Sequence, residues 1–221
     1  NKNNRNIKAL EKQLEFLAED KPMELVLPCL FSELESDALK NILKKINKVN
    51  FLQHIIIGLD KANQAQFEYA KKYFSMLNTS YSILWNDGPR LKKLQKELNK
   101  KELADVEDGK GKNVWYCIGF AIARNSAEAV VFHDCDIKTY DESILIKLLY
   151  PLLNESMDYS FSKGYYSRYA DNKLNGRVTR LLVTPLVKSL MKLFGNNDYL
   201  DFIDAFRYPL AGEYALKKNL L

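Results

Sequence analysis

Asp134 and Asp136 stand one residue apart at the end of the apolar run Ala129-Val130-Val131-Phe132, with Cys135 between them and Lys138 just beyond. Two carboxylates closing a buried strand concentrate negative charge where parallel sheets place their ligands. A hard divalent cation resolves such a pair. Mg²⁺ or Mn²⁺ takes oxygen ligands, keeps some water and bridges to phosphates. The chemistry indicated is the handling of a phosphate-bearing substrate through a metal. The bland alternative is a turn, because Asp also favours loop starts and helix caps.

The elements that must position this pair alternate along the chain. Met23–Pro28, Leu52–Gly58, Tyr81–Trp85 and the run ending in Asp134 read as strands, and Tyr159–Lys163 as a further one. Ser36–Ile46, Gln64–Leu77, Pro89–Lys100, Asn113–Arg124 and Glu142–Leu153 carry helical periodicity. Strand–helix alternation predicts an α/β fold with a mostly parallel sheet flanked by helices. Glu107–Gly111 and Gly164–Asn175 read as polar loops, and Gly176 as the start of a long helix to about Phe194. Residues 1–22 form a helical extension. Its narrow stripe of Ile7, Leu10, Leu14 and Leu17 suits packing on the domain or a partner subunit better than a membrane surface.

Composition sets bounds. The 221 residues are 47% hydrophobic and 28% charged, which suits one α/β domain or two small ones. A net charge of +5 fits anionic small substrates and falls short of a nucleic-acid footprint. Three cysteines with no CxxC pair argue for a reducing, cytoplasmic setting rather than a disulfide framework or structural zinc. Two histidines exclude a His-rich centre. His54 lies inside an apolar strand, and alternation turns His133 away from Asp134. No run is long enough to span a bilayer and no signal peptide is evident, so no membrane insertion is expected.

Five separated segments complete the pattern: Leu27-Pro28-Cys29-Leu30 with Glu33, Gly109-Lys110-Gly111, Asp134-Cys135-Asp136, Gly176-Arg177-Val178-Thr179 and Pro209-Leu210-Ala211-Gly212-Glu213-Tyr214. In this order and spacing they resemble the glucosyl-3-phosphoglycerate synthases, retaining glycosyltransferases of the GT-A fold. The resemblance runs from about residue 23 to the C-terminus. Gly-Lys-Gly and the acidic pair also resemble mannosylglycerate-type synthases.

The resemblance implies a nucleotide-sugar donor, 3-phosphoglycerate as acceptor and Mg²⁺ or Mn²⁺. Asp136 would bind the metal and Asp134 the ribose or sugar. Pro28 and Leu30 would offer backbone groups to the base, and Glu33 would accept from ribose hydroxyls unless it only charges a helix start. Asp60 and Cys135 complete the donor set, although Asp60 also suits a turn and Cys135 a small buried filler. Lys110 would reach the diphosphate or sugar from a flexible loop, with Lys112 as its rival. Gly176, Arg177 and Thr179 would hold the acceptor's phosphate at a helix start, with Arg180 nearby. Glu213 would orient hydroxyls or assist acceptor activation. A homodimer is a further implication, and residues 199–208 suit a subunit contact as well as the monomer core.

Two departures stand out. Gly58-Leu59-Asp60-Lys61 replaces the Ser/Gly-rich acidic turn of many relatives, leaving UDP and GDP both open. The resemblance also implies a metal-binding histidine beyond Glu213, yet none follows His133, so a C-terminally truncated domain over 23–221 is the expectation. Rival readings are a mannosyltransferase, an inactive nucleotide-sugar-binding domain and a haloacid-dehalogenase-type phosphohydrolase. Thr139 lies one place late for the last of these.

Overall fold

Ile55, Ile56 and Ile57 are fully buried because their strand is covered on both faces. Each such side chain contributes roughly 1.5–3 kcal/mol of apolar burial. The computed structural model describes residues 2–103, 107–165, 169–170, 173–174, 178–195, 197–206 and 208–221. The first compact unit comprises Asn1–Ser162 and Ala215–Leu221. Its strands are β1 (Met23–Leu30), β2 (Leu52–Asp60), β3 (Tyr81–Trp85) and β4 (Ala129–Phe132), followed by β5 (Phe161–Lys163), where the chain leaves the unit. The helices are α1 (Lys2–Leu17), α2 (Asp37–Ile46), α3 (Gln64–Phe74), α4 (Pro89–Lys100), α5 (Lys110–Arg124) and α6 (Ser143–Leu153).

β1 pairs in parallel with β2 on one side and β4 on the other, and β2 pairs in parallel with β3. The sheet order is β3-β2-β1-β4, then the strand at Tyr214–Lys217, then β5. The order reverses between β1 and β4, the topological switch point where α/β sheets bind ligands. Helix starts follow local chemistry. The Ser36 hydroxyl accepts from the Leu39 amide at α2, and Asn63 and Gln66 form a capping box at α3. Leu14 of α1 is fully buried in the same core as α6, and the Tyr150 hydroxyl donates to Gln13 at 2.7 Å. The N-terminal helix therefore packs on the domain.

At the amino end of the sheet, the buried Glu24 carboxylate accepts from Arg124 Nε at 3.1 Å and the Ser126 hydroxyl at 2.6 Å. The carboxyl end is built differently. The Val26 carbonyl accepts from the His133 amide at 3.1 Å, so Val26 faces β4. Backbone groups two residues on face the same way, and there Pro28 has no N–H to offer. The β1–β4 register accordingly ends at Val26 and Phe132. The strand expected to run to Asp134 stops two residues earlier, and the two chains part.

The second unit, Lys163–Tyr214, contains a two-stranded ribbon, β6 (Tyr169–Ala170) with β7 (Lys173–Leu174), inside the segment expected to be a loop. A π-helical turn, Thr179–Val183, leads into α7 (Thr184–Phe194), followed by α8 (Asp198–Ala205) and then β8 (Tyr214–Lys217), which re-enters the first unit's sheet. The helix expected from Gly176 is thus not uniform, and Gly176 and Arg177 lie outside the described residues. Tyr199 and Phe202 of α8 are exposed.

Candidate functional site

Where β1 and the chain after β4 separate, a cleft of about 260 Å³ opens. Pro28, Cys29, Leu30, Glu33, Asp60, Lys61, Gly109, Lys110, Asn113, Asp134, Cys135 and Asp136 line it. The structure thereby brings together eight residues expected from sequence, namely Pro28, Leu30, Glu33, Asp60, Lys110, Asp134, Cys135 and Asp136.

Strand register sets the floor. Pro28 lies beside Gly58, and Leu30 beside Asp60. Asp60 Oδ1 accepts from the Lys61 amide at 3.0 Å, and Lys61 turns with φ 54°, in the left-handed region. The Leu30 amide, the next β1 donor after the proline gap, is met by Glu33 Oε2 at 2.7 Å. Burial raises the Glu33 carboxyl above its ordinary range against that hydrogen bond, and the charges of Asp136 and Asp134 push the same way. Three carboxylates therefore repel one another across the cleft. A divalent cation on the exposed Asp136 would offset that repulsion, so the donor set fits a hard metal.

Lys110 was expected in a loop. It is instead the first residue of α5, because Gly109 adopts φ 148° and its carbonyl accepts from the Asn113 amide at 3.2 Å, which extends the helix three residues back from its expected start. Lys110 Nζ forms an ion pair with Asp134 Oδ1. Lys112, its rival, pairs with Asp108 at 2.7 Å and does not line the cleft. The amino end of α5 thus presents a lysine and free backbone N–H groups to the opening.

Cys135 is buried, as a small filler would be, and it also lines the cleft. His133 turns inward as expected. Its Nδ1 pairs with the Tyr140 hydroxyl at 2.9 Å, and burial lowers its pKa to about 3. Sequence reasoning missed Asn113 and Lys61, and it named Cys29 and Gly109 only as members of their motifs. Asn113 follows Lys110 at helical i,i+3 spacing, a signal readable only once the helix start is placed at Lys110.

Glu213 and Thr179 belong to the second unit and are described there. The Glu213 carbonyl accepts from the Gly164 amide at 2.8 Å, and Lys163 Nζ donates to the Ala211 carbonyl at 2.7 Å while lying 5.2 Å from the Tyr214 ring centre. Glu213 is 8% exposed, held in a pinned segment. The Thr179 hydroxyl is buried and lacks a hydrogen-bond partner among the described residues. All three cysteines are free. Among the described residues, no helix is long and apolar enough to cross a membrane.

No family model matches the chain. A glucosyl-3-phosphoglycerate synthase from Persephonella marina is 39% identical over 217 residues, 98% of this chain and 54% of that protein. One from Methanococcoides burtonii is 37% identical over 215 residues, 96% of this chain and 52% of that protein. The chain spans about half the length of these curated relatives. The crystal structure of glucosyl-3-phosphoglycerate synthase from Mycobacterium tuberculosis with Mn²⁺, UDP-glucose and phosphoglyceric acid superposes with a TM-score of 0.65 at 21% identity, covering 96% of this chain and 61% of that one. Its complex with Mn²⁺, UDP and glucosyl-3-phosphoglycerate gives 0.64 at 22% identity, covering 96% and 62%. The chain is therefore a relative of the glucosyl-3-phosphoglycerate synthases across about half of their length, and it has the GT-A fold.

Proposed function

We propose that the chain acts in a retaining glucosyltransferase that moves glucose from a nucleotide-diphosphate glucose, UDP-glucose foremost, to 3-phosphoglycerate. The observation that carries this reading is the convergence of Glu33, Lys110, Asp134 and Asp136 on the opening between β1 and β4. The relatives' name and the UDP-glucose and phosphoglyceric acid of the mycobacterial complex supply the substrates. The base lies against the backbone of Pro28–Leu30. Glu33 accepts from ribose hydroxyls, and Asp134 holds the ribose or sugar while anchoring Lys110. Lys110 and the amino end of α5 face the diphosphate.

Asp136 holds Mg²⁺ or Mn²⁺, which acts as a Lewis acid toward the departing diphosphate. In the second unit, the Thr179 hydroxyl, without a hydrogen-bond partner among the described residues, suits a phosphate oxygen of the acceptor, a role that the sequence pattern also gives to Gly176 and Arg177. Glu213 orients the acceptor or sugar hydroxyls. With leaving group and nucleophile on one face of the sugar, no separate base is required. Three free thiols fit a cytoplasmic setting, and the homodimer is tested by light scattering.

The deciding experiment is a donor-by-acceptor matrix with Mg²⁺ or Mn²⁺, crossing UDP-glucose, GDP-glucose and GDP-mannose with 3-phosphoglycerate and glycerate. Glucosyl-3-phosphoglycerate formation supports the proposal. Mannosyl transfer, or hydrolysis of p-nitrophenyl phosphate without any nucleotide sugar, overturns it. Donor binding without glycoside formation overturns the catalytic part.

A further inference from the structure

Behind the carboxylates of the cleft lies a second group of ligand atoms with different chemistry. Val26 pairs with Phe132 across β1 and β4, and three residues further along each chain stand Cys29 and Cys135. Both thiols are buried, and together with a Glu33 carboxylate oxygen their ligand atoms all lie within 4.8 Å of one another. The Tyr73 hydroxyl is buried without a hydrogen-bond partner among the described residues and lies within electrostatic reach of both thiols. Two neighbouring thiols, one on β1 and one just beyond β4, with a half-buried carboxylate and a hydroxyl lacking a partner among the described residues, make a soft, partly dry environment. The Asp136 carboxylate, by contrast, is exposed.

We propose that Cys29, Cys135 and Glu33 form a second cation site, for a thiophilic divalent ion of the Zn²⁺ class, and that an ion held there draws Glu33 away from the donor and blocks donor binding. The blocking part rests on the donor-site reading given above. Two thiolates on a tetrahedral zinc ion sit about 3.8 Å apart, given Zn–S bonds of about 2.3 Å. Contraction by about an ångström or less therefore closes the set. The bound ion displaces the two thiol protons to solvent, and three protein ligands leave a fourth position for water. Softness separates the two sites: Mg²⁺ and Mn²⁺ choose the oxygens of Asp136, and zinc-class ions choose the thiolates. Glu33 is the shared element. Its carboxylate also accepts from the Leu30 amide, so engaging the ion redirects the group that caps the cleft's backbone donor.

Cd²⁺ is the probe, because its thiolate complexes absorb in the ultraviolet. Titrated into the intact protein under saturating Mg²⁺, Cd²⁺ should raise a thiolate-to-cadmium band that saturates at one ion per chain. Cys29→Ser and Cys135→Ser should each abolish the band, and Cys117→Ser should keep it. Asp136→Asn should leave it unchanged. Calorimetry should show UDP-glucose binding weakened about ten-fold or more by Cd²⁺, and by linkage the Cd²⁺ affinity should fall by the same factor in UDP-glucose.

Should a serine variant fail to fold, the unaltered protein decides the matter: its melting temperature, measured in saturating Mg²⁺, must rise with Cd²⁺ and not with further Mg²⁺. Absence of the band, or its survival in a folded Cys135→Ser protein, overturns the site. A band with undiminished UDP-glucose affinity overturns the blocking role. Failure of the Cd²⁺-free protein to bind UDP-glucose overturns the donor reading instead, and leaves the cation site standing on its own spectrum.

Discussion

Asn113 Nδ2 donates a 2.7 Å hydrogen bond to the Gly58 carbonyl, fastening the first turn of α5 to the carboxyl half of β2. The approach is so close that a Cβ on residue 58 would stand 1.8 Å from Asn113 Oδ1 and 2.6 Å from Cys117 Sγ. Both contacts are with buried groups. Gly58→Ala should therefore push α5 outward and cost about 1–3 kcal/mol, as overpacking does. Urea unfolding reads the loss. Lys110 rides on the same helix turn, so the KM for the donor should rise in parallel.

Asp136 is exposed, and its carboxylate is the group assigned to the metal. Asp136→Asn should lower transfer by about 100-fold or more, beyond what loss of a supporting partner typically costs. The melting temperature should not fall, because no packing is removed and a charge that repels Glu33 is lost. Initial rates across an Mn²⁺ titration, beside a thermal melt, separate the two effects. Full activity in this variant removes Asp136 from the site.

Glu33 carries a carboxyl raised by burial and by its acidic neighbours Asp136 and Asp134. A folded pKa above the unfolded one means that the native state binds more protons in that window. Stability then falls as pH rises through it. Glu33→Gln retains an oxygen for the Leu30 amide and loses the charge. The variant should melt higher than the parent at neutral pH, the gap should close below the ordinary carboxylate range, and donor affinity should drop. Melting curves from acid to neutral pH test this, and a lower neutral melting temperature refutes it.

His133 behaves in the opposite sense. Burial holds it neutral, with a pKa of about 3 in the folded chain, against about 6.5 when unfolded. Protons bind the unfolded state more readily between those values, so stability is lost as pH falls from about 6.5 toward 3. His133→Gln should be less stable at neutral pH, because the Tyr140 contact is disturbed, but its stability should decline less steeply with acid. Equal slopes for the two proteins would assign the acid sensitivity to other groups.

Much of the frame was legible in the sequence because burial leaves a compositional trace. The isoleucine run of β2 and the apolar run before Asp134 could hardly be anything but covered strands, and the alternation of elements predicted the parallel sheet. Details that depend on a single dihedral or on strand register left no such trace. Gly-Lys-Gly reads as a loop until Gly109 is seen to start a helix, and with that helix Asn113 enters the cleft. Cys29 and Cys135 are far apart in the chain, and they become neighbours only where the chains run on past the paired ends of β1 and β4. Glu213 and Thr179 fall in a separate unit, and Gly176 and Arg177 lie outside the described residues. For these four, the sequence pattern remains the argument.

Pro28 contributes no charge, hydroxyl or ring stacking, yet the aperture depends on it. The Pro28 nitrogen has no hydrogen to carry the β1–β4 ladder past Val26, and the pocket mouth lies where the two chains run on unpaired. A ligand's route in is thus written in the covalent chemistry of the main chain, where an inventory of side-chain contacts would never find it.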